Sequence, residues 1–202
     1  MKELDMAVSK PKLVVVGNGM VGHHFIEQVC SLGLNKTFDV HVFGEEPRPA
    51  YDRVQLSKYF ETGSADQLML TSAQDYQDWG ITLHLNTPIT AIDIAAKTVT
   101  SAQGDHYSYT RLVLATGSFP FVPPIQGNDR AQCLVYRTIE DLESIQAAAQ
   151  NSQVGVVVGG GLLGLEAANA MMQLGVKTHV VEFAPQLMPV QLNDKAGELL
   201  CS

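Results

Sequence analysis

Two glycine-rich turns of the same pattern constrain this chain more than any other feature. Gly17–Gly22 reads GNGMVG and Gly159–Gly164 reads GGGLLG, so both match GxGxxG, with first glycines 142 residues apart (159 minus 17). In such a turn the first glycine permits a tight bend, the second lets the backbone approach a pyrophosphate, and the third allows close packing of a helix. The N–H groups at the start of that helix then bind the anion.

Each turn lies between a predicted strand and a predicted helix. Lys12–Val16 is a β-branched run, Val21–Leu32 has helical spacing, and Val40–Phe43 is the next apolar strand, so residues 12–43 predict one βαβ unit. The same pattern returns as a strand at Val154–Val158, a helix at Leu165–Leu174 and a strand at Thr178–Val181. The sequence therefore predicts an α/β fold with two Rossmann-like dinucleotide-binding units, the second incomplete.

The chain between the two units predicts an inserted antiparallel sheet and a domain boundary. Short strands are expected around Ile92, Val99 and Tyr107–Tyr109. The proline-rich segment Phe119–Pro124 is a stiff, extended connector, because proline fixes φ and restricts the residue before it. Helix Thr138–Ala149, with Thr138 as N-cap, follows the connector. We expect a first domain over residues 11–120 and the start of a second domain over residues 121–202.

Acidic residues follow the second strand of each unit. Glu182 comes 23 residues after Gly159, and Glu45 and Glu46 come 28 and 29 residues after Gly17. A carboxylate at this position accepts hydrogen bonds from ribose hydroxyls and repels a 2′-phosphate, which favours NADH over NADPH at Glu182. The alternative for either acid is a solvated strand end. Two such sites imply a flavin and a nicotinamide cofactor, but the pattern does not tell which turn takes which.

Composition excludes several other classes of function. The net charge is −8, with no basic cluster, which argues against nucleic acid as a partner. The longest uncharged apolar run, Val154–Leu165, is too short to span a membrane, and the start MKELDMAVSKPK lacks the pattern of a signal peptide, so we expect a soluble, cytoplasmic protein. The spacings of Cys30, Cys133 and Cys201 fit neither a disulfide framework nor a metal site, and we expect no metal.

Longer motifs resemble a known family. The segments GNGMVGHHFIE (17–27), EEPRPAYDRVQLSKYF (45–60), VYRTIEDL (135–142), GGGLLGLEAA (159–168) and HVVEFAPQLM (179–188) resemble the FAD/NAD-dependent pyridine nucleotide oxidoreductases. More narrowly, they are similar to the flavin-binding N-terminus of the large subunit of NADH-dependent nitrite reductases. The resemblance covers nearly the whole chain.

The resemblance implies a set of residues for each cofactor. For FAD the set is Gly17, Gly19, Gly22, Glu45, Glu46, Arg53, Lys58, Ile89, Thr116, Gly117 and Arg137. For NADH the set is Gly159, Gly161, Gly164 and Glu182. Lys58 near the flavin ring and Glu166 beside the nicotinamide are the candidate catalytic residues, and we hypothesise that they form an ion pair. The alternative is a solvated loop lysine and a helix-surface acid.

The resemblance also implies a direction of electron flow. Hydride would pass from NADH to FAD, and because residues 45–60 contain no cysteine pair, electrons would leave by another route. In nitrite reductases they pass to iron–sulfur centres and sirohaem, in an electron-acceptor domain or small subunit that these 202 residues lack. We expect a truncated product, since the segment with a Gly-Asp pair that normally closes the FAD site is missing. The alternatives are a ferredoxin or rubredoxin reductase and an inactive nucleotide-binding fragment.

Overall fold

The computed structural model describes residues 9–200, which form two compact units. The first unit contains the chain up to Asp52 and Met69–Ser118, and the second contains Arg53–Leu68 and the chain from Phe119 onward. The break after Ser118 lies close to the predicted domain boundary. Residues 53–68, however, belong to the second unit, whereas the sequence placed them in a first domain over residues 11–120. The segment considered above for a signal peptide spans residues 1–12, and its first eight residues lie outside the described residues, as does Cys201.

The described residues contain nine strands and six α-helices. The strands are β1 (Lys12–Val16), β2 (Asp39–Phe43), β3 (Thr82–His84), β4 (Ile89–Asp93), β5 (Thr98–Ser101), β6 (His106–Ser108), β7 (Arg111–Leu114), β8 (Val154–Val158) and β9 (Lys177–Val181). The helices are α1 (Met20–Ser31), α2 (Lys58–Thr62), α3 (Ala73–Asp78), α4 (Ile139–Ala149), α5 (Leu162–Gln173) and α6 (Asp194–Leu200). None of these helices is long and apolar enough to cross a membrane.

A parallel sheet forms the centre of the first unit. Its strand order is β3-β2-β1-β7, and β4, β5 and β6 form a separate antiparallel sheet. Because successive side chains of a strand point to opposite faces, β1 contributes to two cores. Leu13 and Val15 pack with Ile26 of α1, while Val14 and Val16 pack with Val99 of β5. The predicted βαβ unit and the predicted antiparallel insertion are both confirmed.

The second unit contains a two-stranded parallel sheet of β8 and β9. Helix α4 begins as predicted, because Thr138 caps it in a capping box with Asp141. Helix α5 begins at Leu162, three residues before the predicted start at Leu165. Its N-cap is Gly161, so the glycine turn itself opens the helix and the third glycine of the motif lies inside the first turn.

A buried polar chain joins α1 to α3 in the first unit. The Tyr76 hydroxyl donates a 2.7 Å hydrogen bond to Oδ1 of Asn18, and Nδ1 of His23 lies 3.3 Å from the same hydroxyl oxygen. The ring of His23 also stacks on Trp79 at 6.1 Å between centroids. Since the hydroxyl hydrogen is used toward Asn18, its oxygen accepts from Nδ1–H of His23. Burial lowers the pKa of His23 below its ordinary 6.5, so the buried ring is neutral at pH 7.

We expect this histidine to make the fold sensitive to acid. Burial, the largest influence, and His24 lower the pKa of His23 in the folded chain below the unfolded value of 6.5, while Glu27 and Asp75 oppose that shift. The unfolded chain therefore binds more protons in acid, and stability falls as the pH drops through about 6.5. Urea unfolding at about pH 8 and about pH 5.5 should show a smaller pH dependence in His23→Asn than in the wild type.

The asparagine side chain of this variant keeps an N–H that can donate to Tyr76, which makes the substitution conservative for packing. His84, whose pKa burial also lowers, accounts for pH dependence that remains in the variant. An unfolding free energy with the same pH dependence in both proteins would show that His23 is not a responsible group.

Candidate functional site

The first glycine turn joins the end of β1 to α1. Gly17 has φ +109°, and its N–H donates a 2.9 Å hydrogen bond to the carbonyl oxygen of Phe43 at the end of β2. A β-carbon at Gly17 would collide with the carbonyl group of Ala115, and one at Gly22 would collide with the carbonyl oxygen of Gly17. Only glycine therefore allows this tight crossing from strand to helix.

The second glycine turn has the same local geometry. Gly159 has φ +115°, and its N–H donates a 2.8 Å hydrogen bond to the carbonyl oxygen of Val181 at the end of β9. A β-carbon at Gly164 would collide with the carbonyl oxygen of Gly159. At Gly161, by contrast, a β-carbon would meet nothing within 4 Å. The open space above Gly161 is suited to the close approach of a ligand.

Both turns present the N-terminal end of a helix. Gly19 and Gly161 are the N-caps of α1 and α5, and neither helix has an acidic side chain in its first turn. The first N–H groups of each helix have no partner within the helix, and the helix dipole is positive at this end. Each turn is therefore able to bind an anion such as a pyrophosphate.

Glu182 follows β9 and contacts the second turn directly. Its carboxylate accepts hydrogen bonds from the N–H of Gly160 at 2.5 Å and from the N–H of Ala184 at 2.7 Å. Hydrogen bonds from Ala184 and Gly160 lower the pKa of Glu182, so the side chain carries a negative charge at pH 7. The remaining lone pairs can accept from hydroxyl groups of a ligand.

The structure separates the two acids that follow β2. Glu45 is exposed, directly after the buried Gly44. Glu46 is half-buried and accepts a 2.6 Å hydrogen bond from the Tyr51 hydroxyl. The sequence predicts the same ribose-binding role for both acids and does not indicate that Tyr51 bonds to one of them. Glu45 is the carboxylate presented to solvent, while Glu46 already has a partner within the fold.

Thr116 and Gly117 follow β7 at the carboxyl end of the parallel sheet. The adjacent Ala115 donates its N–H to the carbonyl oxygen of Val16 at 2.8 Å, and Gly117 has φ +69°. Ile89 starts β4 and is half-buried against the core cluster that contains Phe43. The first unit therefore brings to one edge of its sheet the predicted residues Gly17, Gly19, Gly22, Glu45, Thr116 and Gly117, while Ile89 packs against the core.

The remaining predicted site residues belong to the second unit. Arg53 lies in a 3-10 turn, Lys58 is the first residue of α2, and Glu166 lies in α5. No ion pair joins Lys58 to Glu166 in the described structure, so the predicted pair is absent. The two residues lie on separate helices, and neither sequence spacing nor a shared element brings their charges together.

Tyr136 and Arg137 precede α4, and the sequence predicts a cofactor role only for Arg137. Arg137 was predicted and is half-buried, with its backbone N–H donating to Asp141 at 3.0 Å and its Nε buried without a partner. Tyr136 was missed. Its hydroxyl is buried without a partner, and burial, with the charge of Glu166, raises its pKa to about 12. A tyrosine hydroxyl near Glu166 could not be inferred from spacing along the chain.

Two glycine turns of this geometry, each opening a helix at the carboxyl end of parallel strands, define a protein of the dinucleotide-binding α/β class. The chain belongs to the pyridine nucleotide-disulphide oxidoreductase family, which it matches over residues 11–200. Membership in this family implies a flavin and a pyridine nucleotide as cofactors. Across residues 9–200, no group of three or more His, Cys, Asp or Glu side chains could hold a metal ion.

Two individual relatives illustrate the similarity. The chain is 51% identical over 193 residues to a nitrite reductase [NAD(P)H] large subunit of Klebsiella oxytoca, covering 96% of this chain and 20% of that protein. It is 31% identical over 190 residues to a rubredoxin-NAD(+) reductase of Ectopseudomonas oleovorans, covering 93% of this chain and 49% of the relative. The chain thus spans a fifth of the first relative and about half of the second.

A solved structure agrees with the fold. The ferredoxin reductase for the CYP199A2 system from Rhodopseudomonas palustris aligns with a TM-score of 0.83 at 25% identity, covering 95% of this chain and 47% of that chain.

Substitutions at two glycines of the second turn should have different effects on protein stability and on NADH binding. Gly164→Ala places a methyl group against the Gly159 carbonyl, so we expect a loss of about 3 kcal/mol in the free energy of unfolding. Gly161→Ala places its methyl group in open space, so we expect stability within about 1 kcal/mol of the wild type. The same methyl group blocks the approach of a pyrophosphate, and the affinity for NADH should fall about tenfold or more.

Urea unfolding and a fluorescence titration with NADH measure the two effects. Equal stability of both variants would contradict the packing role of Gly164. Unchanged NADH binding by Gly161→Ala would contradict the assignment of the ligand to this turn.

Proposed function

We propose that the chain is an NADH-oxidising flavoprotein module that binds FAD at the first glycine turn and NADH at the second. The observation that carries the proposal is the presence of two complete glycine turns in one chain, with the same hydrogen bond from the first glycine to the end of the next strand. A bound flavin accepts a hydride from a bound nicotinamide, which is the chemistry that such a pair supplies. The resemblance to flavoproteins assigns FAD to the first turn.

The residues of each turn fit a dinucleotide. At the second turn, Gly161 leaves room for a pyrophosphate, the start of α5 supplies N–H donors, and Glu182 accepts from ribose hydroxyls. At the first turn, Gly17 and Gly22 make the same tight crossing, Gly19 is the N-cap of α1, and Glu45 and Glu46 supply carboxylates. Thr116 and Gly117 extend the first site along the sheet edge, and Ile89 contributes apolar packing on the adenine side.

We propose roles at the two cofactors for four charged residues of the second unit. We assign Lys58 and Arg53 to the flavin, where a cation stabilises negative charge that develops on the reduced ring. We assign Arg137 to the same cofactor, as the family resemblance implies. Glu166 acts beside the nicotinamide and orients it. These roles do not need an ion pair between Lys58 and Glu166.

The terminal acceptor that we propose is nitrite. Support comes from the 51% identity to a nitrite reductase large subunit, while the lack of cysteine in residues 45–60 argues only against a disulfide reductase. In the longer relatives, electrons would continue through iron–sulfur and sirohaem groups in an acceptor domain or small subunit, outside these 202 residues. A rubredoxin or ferredoxin reductase is the second candidate, because the chain covers half of a rubredoxin reductase at 31% identity.

The visible spectrum of the purified protein tests this proposal. We expect a flavin absorption band, after reconstitution with FAD if needed, that bleaches on anaerobic addition of NADH. Turnover with an artificial acceptor should then accompany NADH oxidation. A protein that takes up no flavin would contradict the proposal and favour the inactive nucleotide-binding fragment.

Glu182 should determine the preference between coenzymes. Removing its charge removes both the ribose contact and the repulsion of a 2′-phosphate, so in Glu182→Ala the KM ratio of NADH to NADPH should rise about tenfold. Glu198→Ala removes an exposed carboxylate of α6 in the same unit and serves as the matched control. Steady-state kinetics with both coenzymes measures the ratio. An equal ratio in wild type and Glu182→Ala would exclude Glu182 from the site.

A further inference from the structure

The two glycine turns correspond residue by residue with an offset of 142. The first glycines, Gly17 and Gly159, share a positive φ and a hydrogen bond to the end of the following strand. The second glycines, Gly19 and Gly161, are both N-caps in extended conformation, with φ −85° and φ −79°. Within the turns Asn18 matches Gly160, and the hydrogen bonds from the first glycines align the strand ends with an offset of 138 (182 minus 44), so that Gly44 matches Glu182.

One residue of each matching pair is a glycine. In the second unit the glycine lies in the turn, and in the first unit it lies at the strand end. In the second turn the side chain comes from the strand end, and a β-carbon at Gly160 would lie 2.5 Å from Cδ2 of Leu187 and 3.1 Å from Cβ of Glu182. In the first turn the side chain comes from the turn, and a β-carbon at Gly44 would lie 3.2 Å from Cβ of Asn18. At this point the side chain comes from the turn in the first crossing and from the strand end in the second, and in each crossing a second side chain would be tightly packed.

This difference reverses the hydrogen-bonding character of the position. Glu182 is an ionised acceptor. Asn18 is an amide whose Oδ1 is occupied by the Tyr76 hydroxyl, so its Nδ2 is the free end. Asn18 is only 9% exposed, and Nδ2 is buried without a hydrogen-bond partner, 3.9 Å from where a β-carbon of Gly44 would lie. The second turn thus offers an acceptor where the first turn offers a donor.

Tyr76 fixes the orientation of the side-chain amide of Asn18. Its side chain is fully buried, and its hydroxyl lies between Asn18 and Nδ1 of His23. The hydroxyl donates to Oδ1, which leaves the NH2 group on the side of Gly44 and the strand end. A buried NH2 group without an acceptor is costly, and that cost disappears when an acceptor arrives with a ligand.

We propose that Asn18 is a specificity-determining residue of the first dinucleotide site, donating from Nδ2 to an oxygen of the phosphate and ribose portion of the ligand, with Tyr76 as its positioning residue. This inference rests on the proposed assignment of FAD to the first turn. It explains why the acid of the first unit is displaced by one residue to Glu45, since the place that Glu182 takes in the second unit is filled by Asn18. At this position the first turn therefore offers a hydrogen-bond donor, whereas the second turn offers an acceptor.

The test compares FAD and NADH binding in three variants of the full chain. In Asn18→Ser the donor no longer reaches, and we expect the dissociation constant for FAD to rise about tenfold. The dissociation constant for NADH should stay within about twofold, because the second turn is untouched, and it serves as the internal control. Tyr76→Phe keeps the donor but releases its orientation, and we expect a rise of about threefold.

The double variant Asn18→Ser with Tyr76→Phe should bind FAD no more weakly than Asn18→Ser alone, since Tyr76 acts through Asn18. Unfolding of the apoprotein is measured in parallel. Variants that lose stability but keep the wild-type affinity for FAD would overturn the inference and leave Asn18 with a structural role only. A wild-type chain that binds no FAD would overturn the proposed function and this assignment together.

Discussion

Everything at the two candidate sites depends on the close approach of a helix to the strand that precedes it. The third glycine of each turn lies against the carbonyl oxygen of the first, at Gly22 over Gly17 and at Gly164 over Gly159. This contact sets where α1 and α5 begin and brings their N-terminal N–H groups to the carboxyl edge of a parallel sheet. The anion-binding character of both turns therefore follows from a steric condition that no residue with a β-carbon satisfies.

The elements of the fold were accessible from local sequence. The β-branched run Val14, Val15 and Val16 predicts a strand, and Thr138 with the acidic residues that follow it predicts the start of α4. The start of α5 was placed too late because glycines lack helix propensity, although Gly161 serves as an N-cap. The membership of residues 53–68 in the second unit depends on contacts with distant parts of the chain, which no local pattern encodes.

The residues of the candidate site likewise fall into those that local sequence predicts and those that depend on distant contacts. Both glycine turns and Glu182 were predictable, because their chemistry depends on spacing along one βαβ unit. The Tyr76 hydroxyl that orients Asn18 comes from 58 residues away, and Tyr136 reaches the surroundings of Glu166 from a distant part of the chain. The Lys58–Glu166 pair was wrong for the same reason, since complementary charge does not bring two residues together unless the fold does.

The chain passes between the two units three times, after Asp52, after Leu68 and after Ser118. Neither unit is therefore one continuous stretch of polypeptide, even though each is compact. A gene for such a module cannot gain or lose one unit by a single cut, because the segment 53–68 would go with the wrong partner. Expressing either unit alone therefore requires joining two separated segments of the sequence.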